Sequence, residues 1–270
     1  LPIYHIQHIL VNYTFISLEW MMPESPDTAV VPGDYDPHDY PPVAVTVDIV
    51  VFTIVDDDLR VLLIQRGQPP FLGRWALPGG FIRPEEDLET AALRELAEET
   101  GIHQKPGHLE QFGSYGSLER DPRMRVVTVG YWAIVPDLPS PTGGGDAAHA
   151  ELVPVSEVES GRLRLAFDHE KILADAIETA RTKLEDSTVA TLFCRPQFTI
   201  SDLRNVYNAV WDTQLDAGNF QRKVTKSEGF LHQLQSPPVR SGDKGGRPAS
   251  LWTSGPAEKL KPPITRPPKK

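Results

Sequence analysis

The sequence predicts an α/β body joined to a winged helix-turn-helix module. Three observations carry that expectation. Strand-like and helix-like stretches interleave from residue 43 to residue 185. From Thr188 onward the order changes to helix, turn, helix and a hairpin with a basic loop. Charge divides along the same line: residues 186–270 hold 13 Lys and Arg against 7 Asp and Glu, net +6, whereas residues 1–185 hold 14 against 30, net −16. An acidic body with a basic C-terminal third implies two tasks, the second of them contact with a polyanion.

The first 42 residues stand outside both modules. LPIYHIQHILVNYTFISLEW is apolar but lacks a Lys/Arg start and a small-residue cleavage site, so it does not read as a secretion signal. The chain begins with Leu1, and residues 1–20 read as translated leader with Met21 or Met22 the natural start. Residues 23–42, rich in Pro and Asp, are expected to be irregular. No run of 18 apolar residues exists, so no membrane span is expected. Cys194 stands alone, which excludes an internal disulfide framework and argues for a reducing cytoplasm and against a thiolate zinc site.

The α/β body, residues 43–185, opens with VAVTVDIVVFTIV (43–55), a strand. DDD (56–58) is a turn and LRVLLIQ (59–65) its hairpin partner. LEQFGSY (109–115) and RVVTVGYWAIV (125–135) read as further strands, and TGGGDAA (142–148) as a loop. DHEKILADAIETARTKL (168–184) is an amphipathic helix with Ile172, Leu173, Ala176, Ile177 and Ala180 on one face.

Between the second and third strands lies GFIRPEEDLETAALRELAEETGI (80–102). Pro84 suits a first helical turn, acidic residues 85–87 complement the positive helix end, and Gly101 suits the C-terminal cap. Glu95, Glu98 and Glu99 stand at i, i+3 and i+4, so their carboxylates share one face, with Arg94 four residues before Glu98. Clustered carboxylates repel one another unless a hard cation sits among them, and Mg²⁺ favours such oxygen ligands. A solvated acidic face is the alternative for an isolated run of this kind. Gly80, Glu86 and the run from Arg94 to Ile102, however, match every fixed position of the Nudix box.

The body therefore resembles the Nudix superfamily. That resemblance implies an α/β/α sandwich with a mixed sheet and cleavage of a nucleoside diphosphate linked to a further group. It also implies Mg²⁺ held by Glu95, Glu98 and Glu99, with help from a backbone carbonyl at Gly79 or Gly80. DPRMRVVTVGYWAIV (121–135) and LAFDHEKIL (165–173) are similar to segments of ADP-ribose-type Nudix proteins and their regulator relatives. Arg123 and Arg125 suit pyrophosphate or terminal-ribose contacts, since guanidinium makes forked, charge-assisted hydrogen bonds; surface arginines facing the acidic body are the alternative. Asp168 and His169 read as a helix N-cap and first turn, with a place in the site as the alternative.

The second module spans residues 186–255. FTISDLRNVYNAVWD (198–212) is a helix capped by Thr199 or Ser201, DAGNFQRKVTKSEG (216–229) a second helix, and GFLHQL and ASLWTS flank the loop QSPPVRSGDKGGRP. Leu203, Val206, Tyr207, Val210, Phe220, Leu231 and Leu251 supply its core. Asn219, Gln221, Arg222, Lys223 and Lys226 are able to reach base edges or phosphates. Arg240, Lys244 and Arg247 suit a wing approaching the backbone or a minor groove. A winged helix used for protein contacts is the alternative. The tail, residues 256–270, is Pro- and Lys-rich and expected to be disordered.

FTISDLRNVYNAV, LDAGNFQRKV and GRPASLW beside a Nudix box resemble the Nudix-related transcriptional regulator (NrtR) family, over roughly residues 43–254. The resemblance implies a homodimeric repressor of NAD-metabolism genes that binds a near-palindromic double-stranded operator and responds to ADP-ribose or a related nucleotide. The family's recognition helix is richer in arginine where this chain has Gly218 and Gln221, which leaves operator sequence and affinity open. Regulators of this family often carry a decayed box, and this box is intact. Both sensing and hydrolysis therefore stand. Turnover needs a general base outside the box, for which Glu110, Glu119 and Glu151 are candidates. The second reading is a Mg-dependent ADP-ribose pyrophosphatase with an appended oligomerisation module.

Overall fold

The computed structural model describes Gly33, residues 36–235 and residues 248–268. Two compact units divide at Pro41/Pro42. In the first, a short 3₁₀ turn covers Pro37–Asp39. The leader reading of residues 1–20 lies outside the described residues, as do Arg240, Lys244 and Arg247.

The second unit is built on a seven-stranded mixed sheet. β1 (Ala44–Val55) turns through Asp56 and Asp57, both at positive φ, into β2 (Asp58–Arg66). Two short strands follow, β3 (Trp75–Ala76) and β4 (Gly79–Phe81), then helix α1 (Leu88–Thr100). β5 (His108–Tyr115), β6 (Val126–Ile134) and β7 (Ala147–Pro154) complete the sheet. The central order is β3-β2-β1-β6-β5, with β4 beside β1 and β7 beside β2. β1 and β6 run parallel, and the other pairs are antiparallel. A single turn, α2 (Val155–Glu159), leads on to helix α3 (His169–Asp186).

Alternation along β1 divides the core. Val47, Ile49 and Val51 pack with Ala91, Ala92 and Leu96 of α1, whereas Val50 and Phe52 pack with Ile172, Leu173, Ala176 and Ile177 of α3. One helix thus covers each face of the sheet.

The winged helix comprises α4 (Ile200–Trp211), α5 (Ala217–Lys226), β8 (Leu231–Gln233) and β9 (Trp252–Ser254). Thr199 and Asp202 form a reciprocal capping box that fixes the start of α4. Phe198 exchanges two backbone hydrogen bonds with Trp252, adding a third strand to the wing. Leu203, Val206, Tyr207, Val210 and Phe220 are buried, while Leu231 and Leu251 are half-buried. All of these but Leu251 belong to or pack against the same apolar cluster as the α3 face of the sheet, so the two modules share one core.

Three expectations are corrected. α1 begins at Leu88, not Pro84: Asp87 is its N-cap and accepts from the Thr90 N–H at 2.7 Å. Residues 142–148 are a loop only as far as Asp146, because β7, which the sequence reading missed, starts at Ala147 and pairs along β2. The described part of the tail, residues 256–268, packs against the end of α3 rather than being disordered. Leu260 and Ile264 are buried, their N–H groups donate to Asp186 and Glu185 carbonyls at 2.7 and 2.8 Å, and Arg266 pairs with Glu178. Pro- and Lys-rich composition hid two apolar anchors spaced to reach the end of α3.

Candidate active site and nucleic-acid interface

Glu95, Glu98 and Glu99 lie on α1, with Arg94 at the centre of their hydrogen bonding. Its guanidinium grips Glu86 through Nε and Nη2 at 2.9 and 2.5 Å, Glu95 Oε1 at 2.7 Å, Glu98 Oε2 at 3.1 Å and the Phe81 carbonyl at 3.1 Å. Those bonds to Arg94 hold the Glu86 carboxyl at about 2. Glu86 therefore sits in the loop before α1 and clamps Arg94 from outside the helix. Glu98 is half-exposed and also takes the Arg83 guanidinium at 3.0 Å.

Glu99 is 6% exposed and accepts the Gly79 N–H at 2.9 Å. Burial, with Glu95 and Asp48 nearby, pushes its carboxyl up to about 8. Burial also raises Glu95. A Cβ at Gly80 would lie 2.5 Å from Glu95 Oε1, so a side chain there would have to displace that carboxylate. Gly101 closes α1 at φ 69°, its N–H donating to the Ala97 carbonyl.

A cleft opens at this end of the sheet, lined by Thr46, Asp48, Arg66, Arg120, Arg123, Phe167 and His169 among others. Arg123 lies over the Phe81 ring at 5.2 Å and is held by Asp121 at 2.7 Å; Arg66 lies over the Phe167 ring at 4.9 Å. Arg125 is elsewhere, its guanidinium donating to the Gly116 and Ser117 carbonyls at 2.6 and 3.1 Å. The cleft thus takes up one of the two predicted arginines, and Arg125 instead ties down the turn after β5.

Asp48, Arg66 and Arg120 escaped the sequence reading as site residues, and His169 stood there only as the alternative. Buried Arg120 bridges Asp48 (3.2 Å) and Asp168 (2.9 Å). Asp168 is at the N-cap of α3 but makes no side-chain cap bond, since its carboxylate takes Arg120 instead. His169 Nδ1 accepts the Leu77 N–H at 2.9 Å, which leaves its proton on Nε2, 3.5 Å from Asp48. Burial holds His169 below its ordinary value. An acid inside an otherwise apolar strand, Asp48 in β1, was the available signal.

The general-base candidates are not gathered. Glu110 is occupied by Lys183 (2.6 Å) and the Trp132 indole (3.2 Å), against α3. Glu151 stands exposed on β7 beside His149, and Glu119 is exposed between β5 and β6. Among the described residues, no three His, Cys, Asp or Glu side chains are grouped so as to hold a metal ion as they stand.

On α5, Phe220 and Val224 are buried, one turn apart. Asn219, Arg222, Lys223 and Lys226 occupy the opposite, exposed face, and Gln221 is exposed beside them. Arg222 donates to the Asn219 side-chain oxygen. Asp216 caps the helix by accepting the Asn219 N–H at 2.8 Å. No helix among the described residues is long and apolar enough to cross a membrane.

Sheet, box and C-terminal module define a Nudix-fold domain carrying a winged helix. A NUDIX domain model matches residues 45–176, and the NrtR DNA-binding winged helix domain matches residues 193–253. The ADPR responsive transcriptional repressor NtrR of Acinetobacter baylyi is 34% identical over 222 residues, 82% of this chain and 85% of its own length. The structure of Shewanella oneidensis NrtR complexed with a 27mer DNA is similar at a TM-score of 0.68 and 30% identity, over 82% of this chain and 99% of that one. An ADP-ribose pyrophosphatase of Methanocaldococcus jannaschii is 40% identical over 129 residues, 47% of this chain and 71% of its own length. The chain belongs to the NrtR family of Nudix-related transcriptional regulators.

Proposed function

We infer that this chain is a DNA-binding transcriptional repressor whose Nudix-fold domain senses ADP-ribose or a related nucleotide and whose regulated genes serve NAD metabolism. The observation that carries the reading is the pairing itself: both modules stand in the order and span of the Acinetobacter repressor, and they share one apolar core. Asn219, Gln221, Arg222, Lys223 and Lys226, on the exposed side of α5, are the DNA-reading residues. Arg240, Lys244 and Arg247 are proposed to add backbone contacts. The working unit is a cytoplasmic homodimer with contacts between Nudix domains, because two recognition helices on a near-palindromic site need a two-fold arrangement.

Arg66 and Arg123, each over an aromatic ring in the cleft, offer cationic and apolar contacts to a nucleotide diphosphate. The Nudix donors fit Mg²⁺ in kind, being all oxygen: Glu95, Glu98 and Glu99, with the Gly80 carbonyl. Holding it requires Glu98 to give up its pairing with Arg83 and Arg94, while Arg94 stays anchored by Glu86. Bound Mg²⁺ supplies polarisation of a phosphoryl oxygen and acidification of water.

The intact box and the likeness to an ADP-ribose pyrophosphatase favour a second reading, a hydrolase with an appended oligomerisation module. Mobility shifts on DNA flanking the chain's own gene, with and without ADP-ribose, separate the two. The repressor reading requires a shifted band that ADP-ribose releases. No shift at low salt would leave the hydrolase.

A further inference from the structure

Helices α4 and α5 and the wing enclose a second cleft, on the recognition-helix side of the module. Its walls are Ile200, Ser201 and Arg204 from α4, Ala217 and Gln221 from α5, and Gln233, Ser250 and Trp252 from the wing strands and their approach. Among the described residues, no acidic side chain lines it. Arg204 is half-buried and forms no ion pair or hydrogen bond among the described residues; its Nε is shielded from solvent and unpartnered. A long basic side chain often lays its stem on apolar surface and sends its head into water. That habit accounts for the stem. It does not account for an Nε–H shielded from solvent with no protein partner, since buried donors are nearly always satisfied.

The surroundings specify the missing partner. Ser201 is at the second position of α4, whose start Thr199 and Asp202 already cap, so it brings its hydroxyl to the cleft. Ser201, Gln221, Gln233 and Ser250 offer neutral donors around the same space. A cation and neutral donors, with no carboxylate among the described lining residues, make a seat for a phosphate. Gln221 belongs to the helix already read as facing DNA, and the wing strands form the opposite wall, so a strand passing between recognition helix and wing crosses this opening.

We propose that the cleft between α4, α5 and the wing seats one backbone phosphate of bound DNA, with Arg204 as its charged ligand and Ser201 and Gln221 as neutral ones. The proposal rests on the DNA-binding reading and adds a contact from α4, the helix that the recognition-helix residues do not include. Such a contact positions the protein and carries no sequence information.

The test uses the full-length protein and a labelled duplex that the wild type selects from a random library, with affinity followed by anisotropy from low to moderate salt. Arg204→Ala should lower the slope of log affinity against log salt by about 0.9 per protomer. Arg204→Lys should restore most of that slope. Ser201→Asp places an acid in the first turn of α4, where it suits the helix, and should weaken DNA binding about tenfold or more with no loss of melting temperature. A scan of single neutral methylphosphonate linkages should find one position per half-site that weakens the wild type but not Arg204→Ala. That position distinguishes backbone phosphate from free phosphate. An effect of 10 mM inorganic phosphate at constant ionic strength, with no sensitive linkage, would mean that the seat serves free anion, and the proposal would fall. It falls equally if Arg204→Ala and Ser201→Asp leave affinity and slope unchanged while Lys223→Ala lowers them; the DNA reading then survives without this seat. A wild type that selects no duplex sinks both.

Discussion

Replacing Arg181 by Met should loosen the joint between the two modules. Arg181 lies on α3 and is 7% exposed. Its Nε donates to the Val210 carbonyl in the last turn of α4 at 3.0 Å, and Nη2 to Glu159 at 3.2 Å. The Arg181 carbonyl accepts the Trp211 indole N–H at 3.0 Å, a bond that survives substitution. Carbonyls in a last turn lack helical donors, so Val210 depends on an outside partner, and a cation there also suits the helix dipole. A hydrogen bond from a charged donor contributes about 1.5–3 kcal/mol. Glu159 is nearly half exposed, so its pairing adds about 0–1 kcal/mol. Met keeps most of the buried stem, and the guanidinium's own burial cost is recovered, so the expected net loss is about 2 kcal/mol. At about 2–4 °C per kcal/mol for a chain of this size, the melting point falls roughly 4–8 °C. Differential scanning calorimetry reads it, with Glu159→Gln as the control that costs under about 1 kcal/mol. Because the modules share a core, both proteins should melt in one transition. A loss below about 0.5 kcal/mol, or separate transitions in the wild type, would refute the reasoning.

Three further outcomes follow from the site. Glu98→Gln should lower Mg²⁺ affinity and any ADP-ribose cleavage by at least about tenfold while leaving DNA binding intact; equal hydrolysis by mutant and wild type would remove the box from the chemistry. Arg222→Ala, Lys223→Ala and Arg247→Ala should each weaken DNA binding across sequences and reduce the salt slope by about one per contact per protomer, measured by anisotropy; three unchanged slopes would contradict the DNA face of α5 and the wing. His169 is held neutral by burial, so its folded value lies below the unfolded one near 6.5. The unfolded chain then binds the extra proton, and this contribution is full above about pH 6.5 and lost as pH falls toward the folded value, by at most about 1.4 kcal/mol per pH unit. Asp48 and Asp168 oppose that shift while Arg120 and Arg66 add to it. Melting points at pH 7.5 and 5.5 should diverge less in His169→Asn than in the wild type, and identical pH dependence in the two would exclude His169 as the source.

What was legible in the sequence was whatever depends on spacing within one element. The cap at Gly101, the two faces of α5 and strands β1, β2, β5 and β6 depend on short-range pattern, whereas β3, β4 and β7 went unread. Pairings across the chain were not legible. Asp48, Arg120 and Asp168 are brought together by β1, the β5–β6 connection and α3. Nothing in the neighbourhood of Asp168 tells that its carboxylate serves Arg120 and not its own helix. The start of α1 was misplaced for a related reason. Pro84 satisfies the local rule for a first turn, but Glu86 is needed outside the helix to clamp Arg94. The tail was misread because composition averages over residues, whereas order there depends on two anchors, Leu260 and Ile264, and on backbone bonds to Asp186 and Glu185. Arg204 was passed over because one arginine in a helix has no pattern. Its meaning comes from the cleft around it.

The central claim is that nucleotide in the Nudix-fold cleft and DNA on the winged helix are coupled through the core the modules share. Two recognition helices must lie about 34 Å apart to engage successive major grooves, so a small change in module placement alters DNA affinity. Coupling of a typical 1–3 kcal/mol changes affinity about 5- to 150-fold, and linkage requires the same factor in both directions. Titrating ADP-ribose by calorimetry into free Glu98→Gln protein and into its DNA complex tests this directly, the substitution suppressing cleavage. Binding that is at least about fivefold weaker in the DNA complex is the predicted result. Equal affinities, with nucleotide bound in both titrations, would contradict the account and leave the Nudix box without a regulatory role.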